Sequence, residues 1–355
     1  TIHSSASAFE RGSMVRIYPV PDTKVLEDMK NELKEETELA GHNTIYFEKA
    51  KEICPKPEDC YTECADNGIV VPMGYLDGGE TFKLVFDDSR VHVIVNGDTG
   101  SGKTNLLHIL ISNILLRYSP EEVELYLIDF KRGKEFRKYT NFNLPGLKAV
   151  SIGNEPEYAL KVLQDIEKQI ANRNVLFGDI TKLSDYNKMH PDKKLPRIVV
   201  ILDELYELIL EAKEVKSARS GNIRTGIMNL LKNFAIQARA YGVHMVIAGQ
   251  HLTEVPELKL IKESCNTKIA LGWSEKETEI LINKSAGELM RLITRQDKGK
   301  CIVQLEKNGN PQMEHTAFLD PVRQHIQLLR EIHKHYCQKK QYGNPRILTV
   351  EVASN

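Results

Sequence analysis

Short apolar runs alternate with longer amphipathic stretches along the middle of the chain. Strands are predicted at Val91–Asn96, Val123–Asp129, Arg197–Leu202, His244–Ala248 and Thr267–Leu271. Between them, apolar residues recur at helical spacing and predict helices at Lys103–Arg117, Glu155–Phe177 and Ile223–Ala240. Because short apolar strands separated by helices are typical of a parallel sheet covered on both faces, this pattern predicts an α/β fold.

Two strand pairs flank this alternating region. Ile69–Gly74 and Thr81–Phe86 are predicted to join the edge of the main sheet. Near the other end, Lys300–Leu305 and Met313–Leu319 surround an Asn-Gly-Asn turn, which predicts a β-hairpin. A final helix is predicted at about Pro321–Cys337.

One glycine-rich run carries the strongest chemical signal. Gly97–Thr104 reads GDTGSGKT and matches the phosphate-binding pattern G-x-x-x-x-G-K-[ST], between a predicted strand and a predicted helix. Glycines let backbone N–H groups approach phosphate oxygens, and the helix start adds further N–H groups and a positive dipole end. We expect Lys103 to contact the β- and γ-phosphates and Thr104 to hold Mg²⁺. The predicted nucleotide-binding residues are Gly97, Asp98, Thr99, Gly100, Ser101, Gly102, Lys103, Thr104 and Asn105.

Polar residues follow two other predicted strands. Asp203 and Glu204 end the apolar run Ile198–Leu202, and a buried parallel strand would present both beside the phosphate loop. Asp203 is predicted to complete the Mg²⁺ shell and Glu204 to act as general base. Gln250 ends the next strand and is predicted to sense the γ-phosphate or orient the attacking water, the alternative being a plain strand cap.

Composition narrows the function classes further. The hydrophobic share of 41%, the charged share of 27% and a net charge of −1 are those of an ordinary globular protein, so any nucleic-acid contact needs a local basic patch. No apolar run is long enough to span a bilayer and no secretory signal is found. Six irregularly spaced cysteines lack the paired spacing of a zinc site, and we expect reduced thiols in a cytoplasmic protein.

In this order, the motifs resemble the motor domain of the FtsK/SpoIIIE family of DNA translocases, part of the FtsK–HerA group of RecA-like ATPases. The resemblance is carried by Gly97–Thr104, by the Asp-Phe-Lys run at 129–131 and by Arg197–Glu204. Its most specific part is Gln237–Gln250, which is similar to the family signature ARA-x-G-I-H-x-x-x-A-x-Q. The implied fold is a RecA-like P-loop NTPase with a mainly parallel central sheet flanked by helices, plus a C-terminal β-hairpin and helix.

The resemblance implies an ATPase that uses Mg²⁺ and hydrolyses ATP between the subunits of a homo-oligomeric ring, which we expect to be a hexamer. It also implies an arginine that reaches across the subunit interface. Family members carry a Glu-Arg-Arg run on a long helix, and in the matching stretch Ile170–Asn174 only Arg173 keeps an arginine. Arg173 is therefore the candidate arginine finger, and the alternative is a surface arginine paired with Asp165 or Glu167. The next candidates are Arg224 and Arg239.

The sequence is compatible with two kinds of substrate for this motor, double-stranded DNA and protein. Basic residues after Glu204 are Lys213, Lys216, Arg219 and Arg224. Such a loop is suited to follow the phosphate backbone of double-stranded DNA, although an exposed loop of ordinary charge is the alternative. The Asp-Phe-Lys run is more similar to type VII secretion ATPases than to division translocases, which usually carry Asp-Pro-Lys. We predict an ATP-dependent translocase of double-stranded DNA, with export of a protein substrate as the alternative.

The predicted organisation has three parts. Residues 1–85 are expected to form an N-terminal leader or small accessory segment, of which about the first 13 resemble vector-derived sequence because a Gly-Ser pair precedes Met14. Residues 86–320 form the predicted motor domain, and residues 321–355 a C-terminal helix and tail. The chain is then expected to be a piece of a longer protein, with a membrane-anchored parent or partner.

Overall fold

The computed structural model describes residues 47, 50, 52–55, 60–76, 79–130, 135–142, 144–151, 156–207, 218–319, 324–338 and 348–350. The chain divides into two units, and the first, Thr1–Thr44, lies outside these ranges. The second, Ile45–Asn355, contains the fold described below.

A single sheet runs through this unit. Its strands are β1 Ile69–Leu76, β2 Thr81–Phe86, β3 Val93–Gly97, β4 Val123–Asp129, β5 Leu147–Ser151, β6 Arg197–Asp203, β7 Val243–Gly249, β8 Thr267–Leu271, β9 Lys300–Gln304, β10 Gln312–Thr316 and β11 Leu348–Val350. The strand order is β11-β5-β4-β6-β7-β3-β8-β9-β10-β1-β2. From β11 to β8 the neighbours are parallel, and from β8 to β2 they are antiparallel.

Within the described residues, helices alternate with the strands, and the first five of these helices lie between parallel strands. The helices are α1 Lys103–Arg117, α2 Pro156–Phe177, α3 Leu183–Met189, α4 Ala218–Gln237, α5 Lys259–Ser264, α6 Glu275–Leu281, α7 Lys284–Met290 and α8 Gln324–Gln338. Because successive side chains of a strand point to opposite faces, each central strand contributes to two cores. Along β6, Val199 and Ile201 face the core that includes α1, whereas Ile198 and Val200 face the core that includes α2 and α4.

The predicted α/β class is confirmed, and so is the position of the first two strands at the sheet edge. Two strands were not predicted, β5 and β11, because both are short and lack a long apolar run. The predicted domain boundaries at 85 and 320 stay predictions, although β1 and β2 pair into the same sheet as the phosphate loop. No helix within the described ranges is long and apolar enough to cross a membrane.

Candidate active site

The phosphate loop joins β3 to α1, as the sequence predicts. Gly100 and Gly102 have φ angles of 80° and 109°, a left-handed backbone that favours glycine. Gly102 is the N-cap of α1 and supplies no side-chain capping bond. The N–H groups of the first helical turn therefore remain available to an anionic ligand.

The segments next to β8 and β9 hold this loop in place. The Asp98 carboxylate accepts a hydrogen bond from the Trp273 backbone N–H at 3.0 Å, just after β8. The Ser101 carbonyl accepts one from the Gly299 N–H at 3.0 Å, just before β9. A Cβ on Gly102 would lie 3.2 Å from Gly299, so glycine permits this close approach. The loop is thus preorganised by contacts outside its own motif.

A buried charge cluster lies beside the loop. The Lys103 ammonium donates to Asp203 Oδ1 at 2.9 Å and to Glu204 Oε1 at 2.5 Å. Lys103, Asp203 and Glu204 are 5%, 2% and 4% exposed. Since buried charges are costly unless they are paired, one ammonium between two carboxylates stabilises all three groups.

Glu204 has an unusual backbone. Its φ is 56°, in the left-handed region that is uncommon for a residue with a Cβ, and its N–H donates to Asp203 Oδ1 at 3.0 Å. Such conformations concentrate at functional sites, where the surrounding structure maintains them. The turn directs the Glu204 carboxylate back toward Lys103 rather than along the strand.

Gln250 completes the cluster at the end of β7. Its side-chain amide donates to Glu204 Oε1 at 3.1 Å, and its amide oxygen accepts from the Thr99 hydroxyl at 3.0 Å. The amide therefore bridges the phosphate loop and the predicted base. The next residue, His251, also has a left-handed backbone, with φ at 54°. The sheet thus brings together four of the residues predicted from sequence: Lys103, Asp203, Glu204 and Gln250.

The oxygen donors at this edge suit Mg²⁺. Thr104 offers a hydroxyl and Asp203 a carboxylate, and hard divalent cations prefer such oxygen ligands. The Asp203 carboxylate also pairs with Lys103 at 2.9 Å. The assignment of Thr104 and Asp203 to the metal stays a prediction that these donors support.

Arg173 lies at the opposite end of the central strands, where β6 and β7 begin. Its guanidinium donates to the carbonyls of Tyr241 at 2.5 Å and Pro196 at 2.7 Å, which precede β7 and β6. It is 4% exposed, and burial lowers its pKa to about 10. The alternative of a surface arginine paired with an acid is wrong, since Asp165 pairs with Lys168 instead. The arginine-finger assignment stays a prediction, but these contacts are those of a residue that fixes the sheet edge.

The predicted DNA-contacting residues are only partly described. Lys213 and Lys216 lie outside the described ranges. Arg224 pairs with Glu257 at 3.1 Å. Two further lysines lie on the β9–β10 hairpin: Lys300 pairs with Asp297 at 3.0 Å, and Lys307 is exposed near the turn.

Three residues beside the site were not singled out from sequence. Asn96, 5% exposed at the end of β3, donates to Glu277 at 2.9 Å and accepts from the Leu252 N–H at 3.0 Å. The sequence does contain a signal for Asn96, because an asparagine within an otherwise apolar strand indicates a specific role for its side chain. Trp273 and Gly299 contact the loop only through backbone groups, which leave no pattern in sequence.

Comparison with known proteins decides the family. The sequence profile of the FtsK/SpoIIIE family matches residues 69–254. The chain belongs to this family. Because this family consists of P-loop ATPases, the predicted enzyme class is confirmed. The assignment of individual nucleotide-binding residues stays a prediction.

Curated relatives are 27–32% identical to this chain over the aligned residues. The DNA translocase FtsK of Streptococcus agalactiae serotype V is 32% identical over 246 residues, which are 65% of this chain and 28% of the relative. The DNA translocase FtsK of Borreliella burgdorferi is 27% identical over 278 residues, 76% of this chain and 32% of the relative. The chain therefore spans less than a third of the length of these relatives.

Solved structures show the same fold at lower identity. The cytoplasmic domain of the type VII secretion ATPase EccC of Thermomonospora curvata aligns with a TM-score of 0.66 and 17% identity, over 88% of this chain and 36% of that one. The pCW3 conjugation coupling protein TcpA, in its monomer form with ATPgS, gives a TM-score of 0.64 and 21% identity, over 84% of this chain and 74% of that one. At these identities the likeness concerns the fold alone.

Proposed function

We propose that this FtsK/SpoIIIE-family chain hydrolyses ATP at the carboxyl edge of β3, β6 and β7 and uses the reaction to move double-stranded DNA. The observation that carries the proposal is the contact of Lys103 with both Asp203 and Glu204, with Gln250 on the same glutamate. A phosphate loop alone would indicate binding. A buried carboxylate and an amide placed together beside it add what hydrolysis needs.

Each side chain has a role in this reaction. Lys103 leaves the two carboxylates and pairs with the β- and γ-phosphates when ATP binds. Glu204 Oε1 is then released to accept the proton of the water that attacks the γ-phosphorus, while the bond to the β-phosphate oxygen breaks. Gln250, already bonded to Glu204, orients that water. Mg²⁺ held by Thr104 and Asp203 would neutralise charge on the phosphates.

DNA is favoured over a protein substrate by the sequence matches. The relatives that share 27–32% identity are DNA translocases. The secretion ATPases are similar only at the level of the fold, at 15–17% identity. We further propose that the active form is a homo-oligomeric ring, with the basic segment at Lys213 and Lys216 facing the DNA, and that a membrane-anchored parent or partner is involved.

The test is ATP turnover with and without long duplex DNA, over a range of salt concentrations. We expect strong stimulation that falls as salt rises, because phosphate contacts release counterions. The Glu204→Gln variant serves as the control for contaminating ATPase. Turnover that DNA does not change would contradict the DNA proposal and favour a protein substrate. The absence of any turnover would contradict the enzyme mechanism as well.

A further inference from the structure

A histidine and two glutamates meet at the carboxyl edge, in the turn after β7 and on α6. His251 Nδ1 lies 3.3 Å from Glu277 Oε1 and 3.8 Å from Glu254 Oε1. The three donor atoms all lie within 4.8 Å of one another. We call these three residues the His-Glu-Glu cluster. Two segments that are separate along the chain thus bring one nitrogen donor and two oxygen donors to one point.

The separations in the His-Glu-Glu cluster fit a small divalent cation. Tetrahedral Zn²⁺ binds histidine nitrogen and carboxylate oxygen at about 2.0–2.2 Å, which places neighbouring donor atoms about 3.4 Å apart. The 3.3 Å between His251 and Glu277 is close to this value. The Glu254 side chain, 61% exposed, has room to move the short remaining distance. Three protein ligands leave a fourth position for water.

A buried asparagine fixes the distance between the two segments that carry these donors. Asn96 on β3 donates from its amide to Glu277 Oε2 at 2.9 Å, and its amide oxygen accepts from the Leu252 N–H at 3.0 Å. Because Asn96 engages Oε2, the other carboxylate oxygen of Glu277 faces His251. Hydrogen bonds of this kind orient ligating carboxylates and increase metal affinity. The donor set is therefore held in place before any cation binds.

The cluster carries more acid than base. Within the described part of the chain, no lysine or arginine pairs with Glu254 or Glu277. The nearby Lys262 ammonium instead donates to the main-chain carbonyls of Leu252 and Thr253, at 3.4 and 3.2 Å. Two carboxylates therefore share one imidazole, and even a protonated histidine leaves one negative charge uncompensated. A divalent cation would balance that charge.

One other group of described residues brings three such donor atoms within 4.8 Å of one another, namely Cys64, Asp66 and Glu122. There the Lys194 ammonium pairs with Asp66 Oδ2 at 2.5 Å, and Glu122 Oε2 accepts from the Ala65 N–H at 2.6 Å. A metal ion would have to displace an ammonium at that position. The His-Glu-Glu cluster has no such competitor among the described residues and is the stronger candidate.

We propose that His251, Glu254 and Glu277 bind a divalent transition metal ion, with Zn²⁺ as the best-suited metal. Imidazole nitrogen suits Zn²⁺, whereas Mg²⁺ prefers a shell of oxygens, so this site is separate from the Mg²⁺ position predicted at the phosphate loop. A bound ion would connect α6 to the turn that directly follows Gln250. The inference goes beyond the proposed ATP hydrolysis and does not require it.

The test measures Zn²⁺ binding by calorimetry, without nucleotide, in a Cys64→Ser background that removes an exposed thiol. We expect one Zn²⁺ per chain and no comparable binding of Mg²⁺. His251→Ala and Glu277→Gln should each weaken Zn²⁺ binding by at least about tenfold, the loss that removal of an outer-shell partner alone produces. The matched controls are His190→Ala and Glu279→Gln, at exposed positions outside the cluster, and they should bind Zn²⁺ like the background.

Two further measurements separate the loss of a ligand from a loss of folding. Glu254→Gln changes a side chain that is 61% exposed, so it should weaken Zn²⁺ binding by a similar factor without affecting the fold. Zn²⁺ should also raise the midpoint of thermal unfolding of the background protein and leave that of His251→Ala unchanged, because a ligand that binds the folded state stabilises it.

Equal Zn²⁺ affinity in the background and in His251→Ala would overturn the proposal. Retained affinity in both glutamate variants would also overturn it, because one histidine alone does not make the site. If the background protein binds no Zn²⁺, the cluster is an ion pair only and the proposal is wrong. None of these readouts uses ATP turnover, so an inactive motor would contradict the proposed function and leave the metal result intact.

Discussion

Buried charged side chains occur at the carboxyl edge of the central sheet, where its parallel strands end, and at the amino edge, where those strands begin. Their hydrogen-bond partners differ. At the carboxyl edge, Lys103 is held by the side chains of Asp203 and Glu204. At the amino edge, Arg173 is held by two main-chain carbonyls. Side-chain partners can be exchanged when a ligand arrives, whereas main-chain partners are fixed by the fold. The difference separates a reactive cluster from a structural one.

Backbone strain follows the same division. Of the three described residues other than glycine that have a left-handed backbone, Glu204 and His251 lie at the carboxyl edge. Glu204 directly follows β6, and His251 lies two residues after the end of β7, so the chain turns sharply at both strand ends. Strain at such positions is maintained by the surrounding packing and is common where function requires it.

The largest effect is expected from Glu204→Gln at the carboxyl edge. The amide keeps the size of the side chain but cannot accept the proton of the attacking water, so ATP hydrolysis should fall by about a thousandfold while ATP still binds. Turnover and calorimetric binding are the measurements. Glu207→Gln, one turn further along the chain, is the control and should behave like the wild type. Wild-type turnover in Glu204→Gln would remove the base assignment.

The amino edge is tested by Arg173→Ala. The substitution leaves the carbonyls of Tyr241 and Pro196 without their charged donor. We therefore expect the free energy of unfolding, measured by urea denaturation, to fall by about 3 kcal/mol. Turnover per folded molecule should stay near that of the wild type. Arg239→Ala, at an exposed position near the same edge, should change stability little. Unchanged stability together with lost hydrolysis in the oligomer would instead support Arg173 as the arginine finger.

A smaller effect is expected from Gln250→Ala. The variant loses the bonds to Glu204 and Thr99 but keeps the base and the phosphate loop, so hydrolysis should fall by about tenfold with little change in ATP affinity. Gln237→Ala, at an exposed position at the end of α4, is the control. If Gln250→Ala weakens ATP binding and turnover equally, Gln250 acts in binding rather than in orienting water.

The smallest expected effect is the pH dependence of folding stability that arises from His244, at the amino edge. Burial lowers the pKa of His244 to about 3, so the folded protein keeps this ring neutral while the unfolded chain takes up a proton near pH 6.5. The unfolded state therefore binds more protons below pH 6.5, and stability should fall by about 1 kcal/mol from pH 6.5 to 5.5 through this residue.

His244→Gln should remove that part of the slope in urea denaturation at the two pH values. A residual slope is expected because burial also lowers the pKa of His92, to about 4. Equal slopes in the variant and the wild type would show that His244 is not the group responsible.

Much of the site was readable from sequence because its parts are local. Strand, glycine loop and helix follow one another directly at Val93–Arg117, and each acid or amide immediately follows an apolar strand. The parallel order of β3, β6 and β7 then places those strand ends together. The helix α1 has the bounds that the apolar spacing predicts.

Other features depend on contacts between segments that are distant along the chain. From sequence, an arginine on a helix such as Arg173 is expected at the surface. Only the packing of α2 against the sheet shows that its guanidinium donates to two main-chain carbonyls. The second hairpin strand was predicted to reach Leu319 but ends at Thr316. After Thr316, the Ala317 carbonyl and the Leu319 N–H bond to the Asn105 side chain instead of continuing the strand.

The sequence by itself determined the phosphate loop, the acids and the α/β class, because these follow from residue type and short-range periodicity. Tertiary structure alone decided which charges face each other, which are satisfied by the main chain, and that Asn105 on α1 bonds to the segment after β10. The physical reason is that hydrogen-bond partners more than two hundred residues apart, such as Asn105 and Leu319, are chosen by the closing of the whole sheet.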